Sequence, residues 1–125
     1  MMETKQIYYC PICGNVVEVL YAGAPALVCC GQPMELLEEK KADFALEKHV
    51  PVVEAKGEGI LVKVGSTKHP MTEEHYIAFI EVVTKDLVLR AELKPGDEPE
   101  AYFPIKKSEV LYAREWCNKH GLWKG

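Results

Sequence analysis

A chain of 125 residues is one ordinary domain, or one medium and one very small domain. Its 48% hydrophobic and 27% charged residues fit a soluble globular protein, and a net charge of −4 with no basic block argues against nucleic acid as a partner. No apolar run approaches the length that spans a bilayer, and Met1 to Gln6 has neither an apolar core nor a cleavage-site pattern, so neither a membrane association nor a secretory leader is expected.

Ile7-Tyr8-Tyr9 reads as a strand leading into Cys10-Pro11-Ile12-Cys13-Gly14. In such a C-x-x-C-G turn two thiolates flank a tight bend, and Gly14 takes a backbone conformation that other residues resist. Asn15 to Tyr21 alternates as a strand does and ends at Gly23-Ala24-Pro25. Ala26-Leu27-Val28 is a further short strand that delivers Cys29-Cys30-Gly31. Cys10, Cys13, Cys29 and Cys30 form a tetrahedral set for iron or zinc, and spacing alone does not choose between them. A redox-active dithiol would call for a βαβ setting that is absent here. Neighbouring cysteines on one metal cannot relax their angle as a C-x-x-C pair can, so one edge of the tetrahedron is expected to be distorted. So small a unit cannot hold itself by apolar burial, and the metal is expected to supply much of its folding free energy. Five cysteines, an odd number with two adjacent, fit metal ligation in a reducing cytoplasm better than a disulfide framework.

Glu35 to Ala45 is charged with a weak helical period and reads as a linker with at most a turn of helix, its charges a solvated face. A domain boundary falls near Leu37, giving domains 1–37 and 38–125. From Val50 onward the chain is strand-like. Val52-Val53-Glu54, Ile60 to Val64, Tyr76 to Val83, Leu87 to Leu93, Tyr102-Phe103 and Val110 to Ala113 are short β-rich runs separated by Gly-, Pro- and Asp-containing turns. Such spacing predicts an all-β chain, the second domain an antiparallel sandwich of roughly seven strands.

All four histidines lie in three short segments: Glu47-Lys48-His49-Val50-Pro51, the stretch from Lys68 and His69-Pro70-Met71 to His75, and Cys117-Asn118-Lys119-His120. The last puts a thiolate and an imidazole three positions apart. Imidazoles and one thiolate gathered from distant segments suit iron, copper or zinc. Functional groups of this kind sit at strand ends and loops of a rigid β scaffold. Lys48, beside His49, is a mobile cation that can attract an anion, and Glu47 is a carboxylate next to it; a solvated loop pair is the plainer reading of both. Trp116 and Trp123 read as packing that keeps the thiolate side dry.

These motifs together resemble the desulfoferrodoxins, the two-iron superoxide reductases. The likeness runs from about Tyr8 to Lys124. It is carried by Cys-x-x-Cys and Cys-Cys, by Glu-Lys-His-Val-Pro, by His-Pro-Met with a histidine five residues after its proline, and by the closing Cys-Asn-x-His-Gly-x-Trp. The resemblance implies a desulforedoxin-like N-terminal domain with iron on Cys10, Cys13, Cys29 and Cys30. It also implies an immunoglobulin-like sandwich with the catalytic iron on His49, His69, His75 and His120, and Cys117 as axial ligand. It further implies a homodimer, a rubredoxin-like electron donor, and a glutamate, here Glu47, that moves onto the open position of the oxidised iron. Four neutral imidazoles and one thiolate leave ferrous iron with a net charge of about +1 and one octahedral position open, suited to the superoxide anion. The expected reaction is superoxide detoxification by one-electron reduction to hydrogen peroxide in the cytoplasm.

Two other functions use similar residues. A blue-copper electron carrier also places Cys and His on a sandwich, but would call for a Met soon after the last histidine, where Gly121-Leu122-Trp123 stands. A zinc-binding module without catalysis would be colourless, whereas either iron site absorbs visible light.

Overall fold

The computed structural model describes residues 2–23, 25–41, 49–65 and 69–125. The chain divides into two compact units, 1–38 and 39–125. Both are built from antiparallel strands, and the described residues hold one 3-10 turn, Lys107–Glu109, and no α-helix. No helix among them is long and apolar enough to cross a membrane.

In the first unit β1 (Ile7–Tyr9) lies between β2 (Val16–Glu18) and β5 (Glu35–Leu36), and β3 (Val28–Cys29) pairs with β4 (Gln32–Pro33). Among its described residues the buried apolar ones are Ile7, Cys10 and Val19. So few buried side chains offset little of the entropy of ordering the segment. The linker reading of Glu35 to Ala45 is corrected at its start. Glu35 and Leu36 pair with Tyr9 and Tyr8, because a third strand satisfies the free edge of β1. Residues 42–45 lie outside the described residues.

Among the described residues the second unit has seven strands in two sheets. β6 (Pro51–Lys56), β7 (Gly59–Val64) and β10 (Glu100–Phe103) form one in the order β10-β7-β6. β8 (Ile77–Val83), β9 (Val88–Glu92), β11 (Tyr112–Cys117) and β12 (Gly121–Lys124) form the other in the order β12-β11-β8-β9. Alternate side chains of both sheets meet in a single core: Ile60, Val62, Val64, Ala101 and Phe103 from one, and Ile77, Ile80, Val82, Ala113 and Cys117 from the other. This is the expected immunoglobulin-like sandwich. Its last two strands differ from the sequence reading, which ended a strand at Ala113; β11 runs on to Cys117 and β12 follows.

The reason is a row of charges on the other face of the four-stranded sheet. Lys124, Arg114, Glu81 and Arg90 are cross-strand neighbours in register on β12, β11, β8 and β9. Arg114 and Glu81 are each 1% exposed, and Arg114 Nε donates to Glu81 Oε1 at 2.7 Å. Glu39 closes the row, 3.0 Å from Arg114 Nη1 and 3.7 Å from Lys124 Nζ. Burial works against the arginine charge, but Glu81 and Glu39 hold its pKa above the ordinary value. A charged pair that looks like a strand end in sequence is therefore the buried middle of a strand.

Candidate metal centres

The cysteine set is assembled by two turns. The Cys10–Gly14 turn is closed by Gly14 N–H donating to the Cys10 carbonyl at 2.9 Å, with Gly14 at φ +85°. The second follows β3, with Cys30 at φ +53° and Gly31 at φ +79°. Cys13 Sγ lies 3.5 Å from Cys29 Sγ, and Cys29 Sγ 3.9 Å from Cys30 Sγ. A tetrahedral metal with bonds of about 2.3 Å to sulfur sets neighbouring sulfurs about 3.8 Å apart, so the cluster has the size of a metal site. The edge between the adjacent cysteines is close to that ideal. The adaptation to adjacency lies in the backbone instead, in the left-handed conformation of Cys30, which costs a non-glycine residue roughly 1–2 kcal/mol.

The four thiols cannot ionise together unaided. The backbone N–H of Cys13 brings Cys10 down to about 6 in spite of burial. The sulfurs of Cys13, Cys29 and Cys10 push Cys30 up to about 12, and Cys13 and Cys10 likewise raise Cys29. A cation at the centre removes this conflict.

The second set comes from three places on the sandwich. His49 precedes β6, His69 and His75 lie in the loop between β7 and β8, and Cys117 and His120 bracket the β11–β12 turn. The imidazoles form a closed ring in the order 49, 69, 75, 120. Neighbouring centroids are 4.8, 4.9, 4.9 and 4.6 Å apart, and each ring stands nearly edge-on to the next, at 68–81°. His49 and His69 are buried, His75 is half-buried and His120 exposed, so one side of the ring is dry and the other open to solvent. The ligand atoms of all five residues lie within 4.8 Å of one another. His49 Nε2 is 2.9 Å from His120 Nδ1. Adjacent nitrogens on one octahedral metal with bonds of about 2.1 Å are about 3.0 Å apart, so this pair is spaced as adjacent ligands are. Cys117 Sγ is 4.0 Å from the same Nδ1.

His69 shows how a ligand is prepared. Its Nδ1–H donates to the Pro70 carbonyl at 2.7 Å, which fixes the tautomer and leaves the Nε2 lone pair facing inward. That buried Nε2 has no hydrogen-bond partner, as a nitrogen meant for a metal should not. Burial, partly opposed by the Pro70 bond, lowers its pKa to about 4, so the ring is neutral at pH 7. Burial pushes the Cys117 thiol up, while backbone N–H groups of Lys119 and His120 pull it down.

The loop carrying His75 is tied to the turn carrying Cys117 by Asn118, a residue the sequence reading passed over. Its side chain accepts from Tyr76 N–H at 2.9 Å and donates to the Glu74 carbonyl at 3.1 Å, while its own N–H donates to Tyr76 O at 3.2 Å. These bonds continue the β8–β11 ladder past a register shift at Trp116/Cys117, with a side chain standing in for backbone. The Asn inside Cys-Asn-x-His was the available signal. The two tryptophans part company. Trp123 stacks on His49 at 4.8 Å and donates to the His120 carbonyl, whereas Trp116 stacks on Phe79. Glu47 and Lys48 lie outside the described residues.

A four-imidazole, one-sulfur ring on an antiparallel sandwich, with a four-sulfur knuckle in a separate unit, defines a non-haem metalloprotein of the superoxide reductase fold. The chain belongs to the desulfoferrodoxin family: the desulfoferrodoxin family model matches residues 41–125, and the model of the desulfoferrodoxin N-terminal domain matches residues 2–37. It is 56% identical over 123 residues to a desulfoferrodoxin homolog of Methanothermobacter thermautotrophicus, covering 98% of this chain and 99% of that one. It is 55% identical to the desulfoferrodoxin of Nitratidesulfovibrio vulgaris, covering 99% and 98%. The superoxide reductase from Treponema pallidum has a similar structure, with a TM-score of 0.80 at 34% identity over 96% of each chain. The chain thus carries two iron sites, one of four cysteines and one of four histidines and a cysteine.

Proposed function

We infer that the chain reduces superoxide to hydrogen peroxide at the imidazole–thiolate site, where His49, His69, His75, His120 and Cys117 would together hold the iron. The observation that carries this reading is the closed ring of four imidazoles with one buried thiol beside it. When bound there, iron supplies one electron: ferrous iron, superoxide and two protons give ferric iron and hydrogen peroxide, with no dioxygen made. The protein's own part is to hold four neutral nitrogens and one sulfur in place, so that the centre keeps a small positive charge beside an open, solvated side. Anions are drawn to such a point. The test is to mix pulse-generated superoxide with reduced protein while following iron oxidation and peroxide. Dioxygen released with the peroxide would mean a dismutase, and unchanged iron would end the reading.

In this reading residues 1–37 hold iron on Cys10, Cys13, Cys29 and Cys30, and residues 38–125 are the catalytic domain. Because each ligand set is complete within its own segment, Cys13→Ser should abolish the first site's colour while superoxide reduction stays largely intact. Loss of the second iron in that variant, measured by metal analysis, would overturn the division. A homodimer, a rubredoxin-like donor and a cytoplasmic location complete the proposal, supported by the family resemblance and by the reduced-cysteine chemistry.

Glu47 and Lys48 are assigned from their place beside His49. Lys48 would attract superoxide and organise water that delivers protons, and Glu47, by the family resemblance, would be the carboxylate that approaches the oxidised site. Lys48→Ile should slow the reaction with superoxide about tenfold at low salt, and the wild-type rate should fall more steeply with ionic strength than the variant's. Equal rates at low salt would return Lys48 to a solvated loop.

A further inference from the structure

Lys40 belongs, in sequence, to the charged run read as a solvated linker. Its backbone is instead pinned beside β12: its N–H donates to the Leu122 carbonyl at 3.0 Å, and its carbonyl accepts from Lys124 N–H at 2.8 Å. From there the side chain reaches the metal-binding turn. The ammonium donates to the His120 carbonyl at 2.9 Å and lies over the Trp123 ring, 5.1 Å from its centroid. Trp123 donates Nε1–H to the same carbonyl at 3.1 Å and stacks on His49 at an interplanar angle of 18°. Gly121, at φ +88°, makes the turn that brings the His120 carbonyl to the ammonium.

An exposed lysine ordinarily samples many rotamers, and its charge is smeared into solvent. This one is held by its own backbone, by a carbonyl and by an indole face. Its two side-chain partners lead directly to two of the four ring imidazoles, His120 and His49. Resting on the reading of the imidazole–thiolate site as the catalytic iron centre, we propose that Lys40 is a positioning residue that holds a fixed positive charge against the His120 carbonyl and the Trp123–His49 stack, and so favours the ferrous over the ferric state. The sign follows from Coulomb's law. The centre carries about +1 when ferrous and about +2 when ferric, so a nearby fixed cation penalises the oxidised form more. A reductase gains from this twice, since the resting enzyme stays loaded with the electron and the same charge draws the anionic substrate.

The test is a redox titration of the full two-iron protein, wild type against Lys40→Met and Lys40→Arg. It is followed by electron paramagnetic resonance, which reads the two ferric centres separately. At the wild-type midpoint, Lys40→Met should raise the ferric-to-ferrous ratio of the imidazole–thiolate centre about threefold. Lys40→Arg should stay near wild type, and the difference should shrink at high salt. An unchanged ratio in Lys40→Met overturns the proposal. So does an equal shift in Lys40→Arg, because the effect would then come from geometry and not from charge. Should Lys40→Met shed its iron, Lys40→Gln, neutral but still a donor, takes its place and the same two results decide. Absence of a second ferric signal in wild type would overturn the iron reading and this inference together, whereas a normal signal with an unshifted ratio overturns Lys40 alone.

Discussion

Cys117→Ser is expected to remove the sulfur-to-iron charge-transfer band of the ferric enzyme and at least about a hundredfold of its turnover, beyond what loss of a supporting contact to a ligand costs. The thiol is fully buried and its burial raises its pKa, and a bound cation would offset that cost and favour the thiolate. The backbone N–H groups of Lys119 and His120 are already turned toward the sulfur and favour that charged form. A serine oxygen in the same position is a harder and less polarisable donor and stays protonated far more readily. The charge of the donor set then falls from −1 to zero, and the ferric state loses its stabilisation. The four histidines can still hold iron, so metal analysis separates loss of the ligand from loss of the site. Because the N-terminal centre also absorbs visible light, the experiment belongs in a Cys13→Ser background. A double variant that keeps both the band and full peroxide production would show that Cys117 is not a ligand.

Glu81→Gln should be strongly destabilising although it lies outside the metal ligands. It removes the charge that faces Arg114 at 2.7 Å where both side chains are 1% exposed. Breaking a buried pair from one side costs about 3–5 kcal/mol, because a desolvated charge is left behind. Glu39, about a quarter exposed, covers only part of the guanidinium. For a domain of this size the loss lowers the melting temperature by at least about 10 °C. The companion variant Glu81→Leu with Arg114→Met should recover most of it, since an apolar pair of similar volume needs no desolvation. Thermal unfolding followed by circular dichroism checks both. A double variant as unstable as Glu81→Gln would mean that the pair contributes more than mutual neutralisation.

Sequence made the ligand sets legible because metal binding needs scarce residue types in stereotyped turns. Cys-x-x-Cys-Gly, Cys-Cys-Gly and Cys-Asn-x-His are readable without knowing what lies across the sheet. The strands from Ile60 to Val64 and Tyr76 to Val83 were readable too, since their apolar runs fill the core directly. The ends of the fold were not. Arg114 looks like a residue for solvent until its partners Glu81 and Glu39, 33 and 75 positions away, are brought to it. Lys40 looks like linker until the β11–β12 turn supplies the His120 carbonyl, 80 positions on, and β12 the Trp123 indole that fix it. In each case the deciding contact is between polar groups far apart in sequence, and hydrophobic periodicity carries no trace of such a contact. Asn118 was hidden differently. It replaces backbone in a ladder, and its place inside Cys-Asn-x-His is a local signal that marks the position without showing which backbone groups it serves.

The two donor sets are finished at different times during synthesis. The four sulfurs are complete once Cys30 has been made, whereas the imidazole ring needs His49, His69, His75 and, last, His120. Ribosomes add about 5–20 residues per second, so the 90 residues between Cys30 and His120 take about 5–20 s. During that interval the nascent chain offers the surrounding metal pool a finished thiolate site and an unfinished nitrogen site. The first centre can fill on the emerging chain, under competition from every thiophilic ion present. The second cannot be complete until Cys117 and His120 have been made and the β11–β12 hairpin has closed.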